Sequence, residues 1–449
     1  MEKFDVKATI EEYFDDYKKD LAALVAVDSK CDDGNAQPGA PLGPGPRKAL
    51  DTAMAMAERL GYKTTTDTDG YYGFADIGEG DELFGVLGHL DVVPADDKEN
   101  WDTDPFTLIE KDGKFHGRGC IDDKGPMTAS MYALKILLDK GAVLKKRVRF
   151  ICCTDEESLW RCVKKYISDK QEIPASGITP DADFPLLYAE KGLVEYDITS
   201  EDADFIEFVG GSAYNAVAAE AKIPMDDAVK KAMDELGYEY KEEDGKLVAI
   251  GRAAHAMVPE TGVNAIVHLA EACVKAGNTS NMLKFIAEKG NDPLGHPIFG
   301  EVSDEMSGPL KFNIGLADFK PGSQKLGIDI RFPVTYEKEK VDKTLDDACT
   351  ASGVKLTQFD YLRSLYIPTD TDYIKTLMQA YQEVTGDKET KPISTGGATF
   401  ARSMDNIVAF GALLPGEPQT EHQVNECVTV QNLKTAMEVY IRMFELWTM

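Results

Sequence analysis

Five short clusters in this chain combine residue types that hold cations and move protons. Gly88-His89-Leu90-Asp91-Val92-Val93-Pro94 follows the apolar run Leu83–Leu87. Side chains two apart on a strand share a face, so His89 can offer one ring nitrogen to a metal while Asp91 orients the ring. Gly117-Arg118-Gly119-Cys120-Ile121-Asp122-Asp123-Lys124-Gly125 precedes a helical pattern. Its plain reading is an aspartate N-cap, and it lacks the Gly-Lys-Ser/Thr of a phosphate loop. Thr154-Asp155-Glu156-Glu157-Ser158 puts three consecutive acids after the strand pattern Val148–Cys153, at a strand end where α/β proteins collect ligands. Thr179-Pro180-Asp181-Ala182-Asp183-Phe184-Pro185 and Glu421-His422-Gln423-Val424-Asn425-Glu426 complete the set. Taken singly, each has a structural reading: a strand-end histidine bonded to a turn aspartate, a solvated acidic turn, a surface histidine. Together, two histidines and several carboxylates supply mixed nitrogen and oxygen ligation suited to zinc, with manganese or cobalt as alternatives. Two such ions about 3.5–4 Å apart need a bridging carboxylate and activate water for hydrolysis.

The elements that must position these clusters can be read from periodicity. Residues 7–27 predict an amphipathic helix with Ile10, Tyr13, Phe14, Tyr17, Leu21 and Leu24 on one face. Residues 34–46 hold four Gly and four Pro and predict a loop. A helix follows from Arg47 to Leu60, then strands Tyr71–Ile77 and Leu83–Leu87, helix Pro126–Leu138 and strand Val148–Cys153. This alternation favours an α/β domain with a mostly parallel sheet. From about Gly192 to Tyr366 short strands mix with helices such as Asp226–Leu236 and Gly262–Ala276, in the manner of an inserted α+β unit. Helix Asp372–Val384 and strand Ile407–Phe410 resume the earlier style.

Composition narrows the function. The chain has 449 residues, with 49 Lys and Arg against 78 Asp and Glu, for a formal net charge of −29. That balance argues against nucleic acid and against anionic membrane as partners. There is no run of about 18 apolar residues, and the N-terminus carries no apolar signal region, so a cytoplasmic location is expected. Eight scattered cysteines without a C-x-x-C fit reduced thiols used as small apolar residues. Gly-x-Ser-x-Gly, His-Glu-x-x-His and a helix-opening Gly-x-Gly-x-x-Gly are all missing.

In order, GHLDVVP, GRGCIDDKGP, TDEES, PDADFP and EHQVNE resemble the signatures of the dinuclear-zinc exopeptidases that include carnosinases, aminoacylases and carboxypeptidase G. The resemblance is closest to the bacterial PepV-type dipeptidases and runs nearly end to end. It implies an α/β fold, a mostly parallel mixed sheet flanked by helices, with an inserted α+β lid domain. The catalytic domain would comprise residues 1–191 and 367–449, and the lid residues 192–366, in one part or two.

The resemblance also implies roles. Asp122 would bridge two divalent metals, with His89 and Asp181 completing one site and Glu157 and His422 the other; Asp183 is the alternative to Asp181. Glu156 would be the general base for a metal-bridging hydroxide, and Asp91 would orient His89. Asn215 and His255 look like substrate-side residues, His255 as a donor to the oxyanion. Arg331 would grip the substrate carboxylate with a two-pronged pair, and Gly396 and Gly397 would line the same end. Bland uses exist for each: a helix-capping histidine, a strand-end arginine, a turn asparagine, a tight glycine turn. His116, His268 and His296 are read as structural.

The activity so implied is that of a metal-dependent dipeptidase, acting as a monomer if the lid takes the place of a partner subunit, with a homodimer also open. Two rivals stand beside it: an N-acyl-amino-acid deacylase or desuccinylase using the same two metals, and a ligand-binding relative without turnover.

Overall fold

The computed structural model describes residues 4–202 and 206–449. The chain divides into two compact units, one formed by residues up to Tyr188 with Ile367–Ile393 and Thr399–Met449, the other by Ala189–Tyr366 with Ser394–Ala398.

The first unit is built on a mixed sheet. Six of its strands lie in the order Lys63–Thr66, Tyr72–Ile77, Arg147–Cys153, Leu83–His89, Ser176–Thr179, Ile407–Ala409. The last four run parallel to one another, while the two at the near edge pair antiparallel. Leu83–His89 is buried at all seven positions, as a parallel strand covered on both faces must be. Phe84 and Phe150 each meet the ring of Phe444, on the helix Val430–Thr448, at 6.0 and 6.3 Å.

The helices start where the sequence supplies caps. Asp5 accepts the Ala8 N–H at the head of Val6–Val25, whose buried residues include Ile10, Phe14, Tyr17, Leu21 and Leu24. The next helix begins at Pro44, three residues before the expected start, because proline suits a first helical turn whose N–H groups are unpaired in any case. All eight cysteines are free thiols. Among the described residues no helix is long and apolar enough to cross a membrane.

The second unit is an eight-stranded antiparallel sheet in the order Tyr240–Glu243, Lys246–Ile250, Glu220–Pro224, Phe208–Gly211, Lys311–Lys320, Ser323–Phe332, Gly192–Ser200, Lys355–Leu362. Gly192–Ser200 alternates buried and half-buried positions over most of its length, the signature of a sheet with one covered face. That face carries its own core, in which Val194, Ile198, Phe208, Ile266, Leu269, Phe285, Ile328 and Leu345 are buried together.

The short stretch Ser394–Ala398, which the sequence reading leaves with the first domain, clusters with the second unit. Two contacts explain this: Lys191 N–H donates to the Thr395 carbonyl at 3.0 Å, and Arg331 Nη1 donates to the Gly396 carbonyl at 2.8 Å.

Candidate active site

Three neighbouring parallel strands of the first unit end side by side. His89 closes Leu83–His89 and lies level with Cys153 of Arg147–Cys153; Thr179 closes the strand on the other side. The residues just past these ends are Asp91, Glu156 with Glu157, and Asp181. Loops leaving the carboxyl ends of parallel strands converge, which is why groups so far apart in sequence meet.

His89 is fully buried. Its Nδ1 lies 3.0 Å from the Asp91 carbonyl and 3.5 Å from Asp91 Oδ1. A proton held there leaves the Nε2 lone pair facing Asp122 Oδ1, at 2.9 Å, and Asp181 Oδ2, at 3.8 Å. A Cβ on Gly88, just before it, would sit 2.5 Å from Asp123 Oδ2 and displace that side chain.

The other Asp122 oxygen faces the last cluster. Oδ2 is 3.0 Å from His422 Nε2, which is also 3.1 Å from Glu157 Oε2. Asp122 therefore turns one oxygen to each histidine. Ligand atoms of His89, Asp122 and Glu157 lie within 4.8 Å of one another, and so do those of His89, Glu156 and Asp181. Glu156 thus stands within reach of the same centre as the metal-type residues. Asp183 lies two residues along, where its carboxylate meets Gln419 Nε2 at 3.4 Å.

The electrostatics are those of a concentrated, desolvated anionic site. Burial opposes ionisation of Asp122, but hydrogen bonds from His422 and His89 outweigh it and hold its carboxyl below the usual range. Burial, with Asp122 close by, pushes Glu157 up to about 7. Glu156 and Asp181 are raised chiefly by burial. Hydrogen bonds to Asp122 and Glu157 raise His422 to about 11. One buried and three half-buried carboxylates crowded together in this way call for cations. The donor set, two imidazole nitrogens with carboxylates and one aspartate shared between the histidines, fits a pair of divalent ions of the zinc, manganese or cobalt kind.

Several groups do work that the sequence does not reveal. The Asp91 carboxylate is spent mainly on the acidic loop, with Oδ1 accepting the Glu156 N–H and Oδ2 the Glu157 N–H, each at 3.0 Å. One residue thus fixes both His89 and the two glutamates. Asp123 occupies the N-cap position of Lys124–Asp139 but makes no side-chain cap; its Oδ2 instead accepts the His89 N–H at 3.2 Å. His422 and Asn425 adopt left-handed backbone, φ 62° and 60°, which turns the chain sharply at the exposed histidine.

The remaining expected residues belong to the second unit. Asn215 and His255 are neighbours there, since Ala256 N–H donates to the Asn215 carbonyl at 2.9 Å and Ala216 pairs with His255. Both are exposed. His255 Nδ1 accepts the Met257 N–H at 3.1 Å, so the neutral ring carries its proton on Nε2. Arg331 is buried, with its Nε and Nη2 paired to both oxygens of Asp329 at 2.7 and 2.8 Å and its Nη1 on the Gly396 carbonyl. The fork expected to meet a substrate is thus already closed on Asp329, and only donor capacity on Nη1 and Nη2 is left over. A Cβ on Gly396 would lie 3.0 Å from Met257 Cβ, and Gly397 N–H donates to Thr395 Oγ1 at 2.9 Å. His268 stacks on Tyr238 at 3.8 Å and His296 pairs with Asp292 at 2.7 Å, both structural uses.

Comparison with known proteins places this site in a class. Residues 85–446 match the model of peptidase family M20/M25/M40, and the chain belongs to that family of metal-dependent peptidases. Among curated proteins it is 36% identical to "Putative dipeptidase YtjP" of Bacillus subtilis, covering 95% of this chain and 96% of that one. It is 34% identical to "Putative dipeptidase SH1171" of Staphylococcus haemolyticus over 97% of both. Among solved structures, human carnosine dipeptidase 1 shares the fold with a TM-score of 0.59 and 17% identity, covering 98% of each chain.

Proposed function

We propose that the protein is a dipeptidase, hydrolysing the peptide bond of dipeptides or very short peptides at a two-metal centre. The observation that carries this reading is Asp122, whose two oxygens lie 2.9 and 3.0 Å from the Nε2 atoms of His89 and His422. The relatives named as dipeptidases, matched over nearly the whole chain, support the substrate class.

In this reading His89 and Asp181 would hold one ion and Glu157 and His422 the other, with Asp122 as the ligand that both would share. Bound divalent ions would polarise the scissile carbonyl and lower the pKa of water. Glu156 takes the proton of the attacking water and returns it to the leaving amine. The Met257 N–H keeps the His255 proton on Nε2, where it serves as a donor to the developing oxyanion. Asn215, Arg331 and the Gly396-Gly397 backbone are assigned to the substrate, Arg331 through the donors that Asp329 leaves over.

Two experiments test it. Chelation should abolish dipeptide hydrolysis, and zinc, manganese or cobalt should restore it; full activity in metal-free protein overturns the reading. Profiling dipeptides against N-acyl-amino acids should give turnover of the dipeptides; turnover of acyl-amino acids alone would assign a deacylase. Within the mechanism, Glu156→Ala should keep both metals and lose about a thousandfold in kcat, since general-base action contributes about 10²–10⁴-fold. Unchanged turnover would remove Glu156 from the role.

A further inference from the structure

Glu426 is a fully buried carboxylate that the mechanism above does not use. Its oxygens accept the Gly119 N–H at 3.0 and 3.1 Å, the Ile121 N–H at 3.1 Å and the Asp122 N–H at 3.4 Å. Arg118 Nη1 donates to Oε2 at 2.7 Å, and the Glu426 carbonyl accepts the Gly117 N–H at 3.1 Å. The loop that presents Asp122 is therefore wrapped around one side chain. Hydrogen bonds to a charged acceptor are the strong kind, and several on one carboxylate fix a loop's path.

That side chain lies four residues after His422, on the turn that presents it. The turn is itself tied down. Thr420 Oγ1 accepts the Cys427 N–H at 3.0 Å and donates to the Cys427 carbonyl at 2.8 Å, and Asn425 Oδ1 accepts the Asp102 N–H at 2.8 Å. Glu426 thus joins the two backbone segments whose side chains, Asp122 and His422, face each other at 3.0 Å.

We infer that Glu426, with Arg118 as its counter-charge, is a positioning residue that sets the separation of Asp122 and His422 and so tunes the second metal site. The inference rests on the two-metal reading. It makes Glu426 the link between the shared ligand and the ligand contributed by the last loop. Glutamine at this position keeps the volume but halves the acceptor set and turns an NH₂ toward backbone N–H groups.

The test is metal titration of the full-length protein by calorimetry, with zinc as the probe, alongside steady-state kinetics on a dipeptide. Wild type should take up two equivalents. Glu426→Gln should bind one of them about 10–100-fold more weakly, the range seen when a group supporting a ligand is lost. Its kcat should fall by a similar factor and recover with excess zinc, while KM moves less than about threefold. A purely structural role would lower the melting temperature of the metal-free protein but leave zinc affinity and kcat at wild-type values, and that result overturns the inference. Should Glu426→Gln fail to fold, Glu426→Asp, which keeps the charge but withdraws it by one carbon, is expected to move the same way; wild-type zinc affinity in that variant overturns the inference equally. If wild type itself binds fewer than two equivalents, the two-metal reading fails and this inference with it. If wild type binds two and the variant binds both as tightly, only this inference fails.

Discussion

Asp91 shows how much one side chain can be asked to do. Its carbonyl and carboxylate face His89 Nδ1, while its two oxygens hold the N–H groups of Glu156 and Glu157. The sequence spacing supports only the first of these tasks, because two residues on one strand face is a local relation. The second joins positions 65 and 66 residues apart and needs the parallel pairing of Leu83–His89 with Arg147–Cys153 to exist. Asparagine at this position keeps one acceptor and sets an NH₂ against the other N–H. Asp91→Asn should therefore fold and retain metal, yet lose about 10–100-fold in kcat through displacement of Glu156. Kinetics with metal content measured on the same sample decide it: wild-type kcat would confine Asp91 to holding its own strand end.

The elements that carry the centre were open to sequence reading because they are long and strongly patterned. Leu83–Leu87 announces itself as an apolar run and Arg147–Cys153 as a strand pattern rich in apolar residues, and each leads into a polar cluster. Less was visible where the controlling contact is distant. Arg118 and Glu426 are 308 residues apart, and Asp329 competes for Arg331 from only two residues away, which a carboxylate-grip reading overlooks. Beyond its place at the end of the EHQVNE cluster, the signal for Glu426 was an acid directly before the apolar Cys427-Val428, a place where an unpaired charge would be costly.

The second sheet holds a further conflict of this kind. Half-buried Glu195 on Gly192–Ser200 is registered opposite Asp329 on one neighbouring strand and Asp360 on the other. Burial, then Asp329, then Asp360 push its carboxyl up to about 7, with Arg331 opposing. A carboxyl whose folded value is raised favours the protonated folded state. Its penalty is absent below the ordinary carboxylate range, grows through that window, and is complete above about 7. Glu195→Gln should thus stabilise the protein by about 1 kcal/mol at pH 8, a value held low because the side chain is partly solvated. The gain should shrink on going to pH 5. Equal denaturant midpoints for wild type and variant at pH 8 would refute the repulsion.

For the molecule as a whole, the division into two units separates two kinds of stability. Each unit has its own core, the first around Phe84, Phe150 and Phe444, the second around Val194, Phe208, Ile266 and Ile328. Every residue assigned as a metal ligand, His89, Asp122, Glu157, Asp181 and His422, belongs to the first unit. A ligand that binds only the folded form stabilises what it binds, by about 2.7 kcal/mol at a hundredfold excess over its dissociation constant. Adding zinc to chelated protein should therefore slow hydrogen exchange in residues 88–93, 117–127, 154–160 and 420–427. Exchange in the second unit's central strands, Lys311–Lys320 and Ser323–Phe332, should stay unchanged. Mass spectrometry of peptides from the two states reads both regions at once. Equal protection of the two units would mean that zinc binding is felt by the second core as strongly as by the first, and the ligand set would then have to be sought beyond these five side chains. Protection confined to the first unit, lost in His422→Ala at 420–427 but kept at 88–93, would match one ion held mainly by His89 and Asp181 and another that depends on His422.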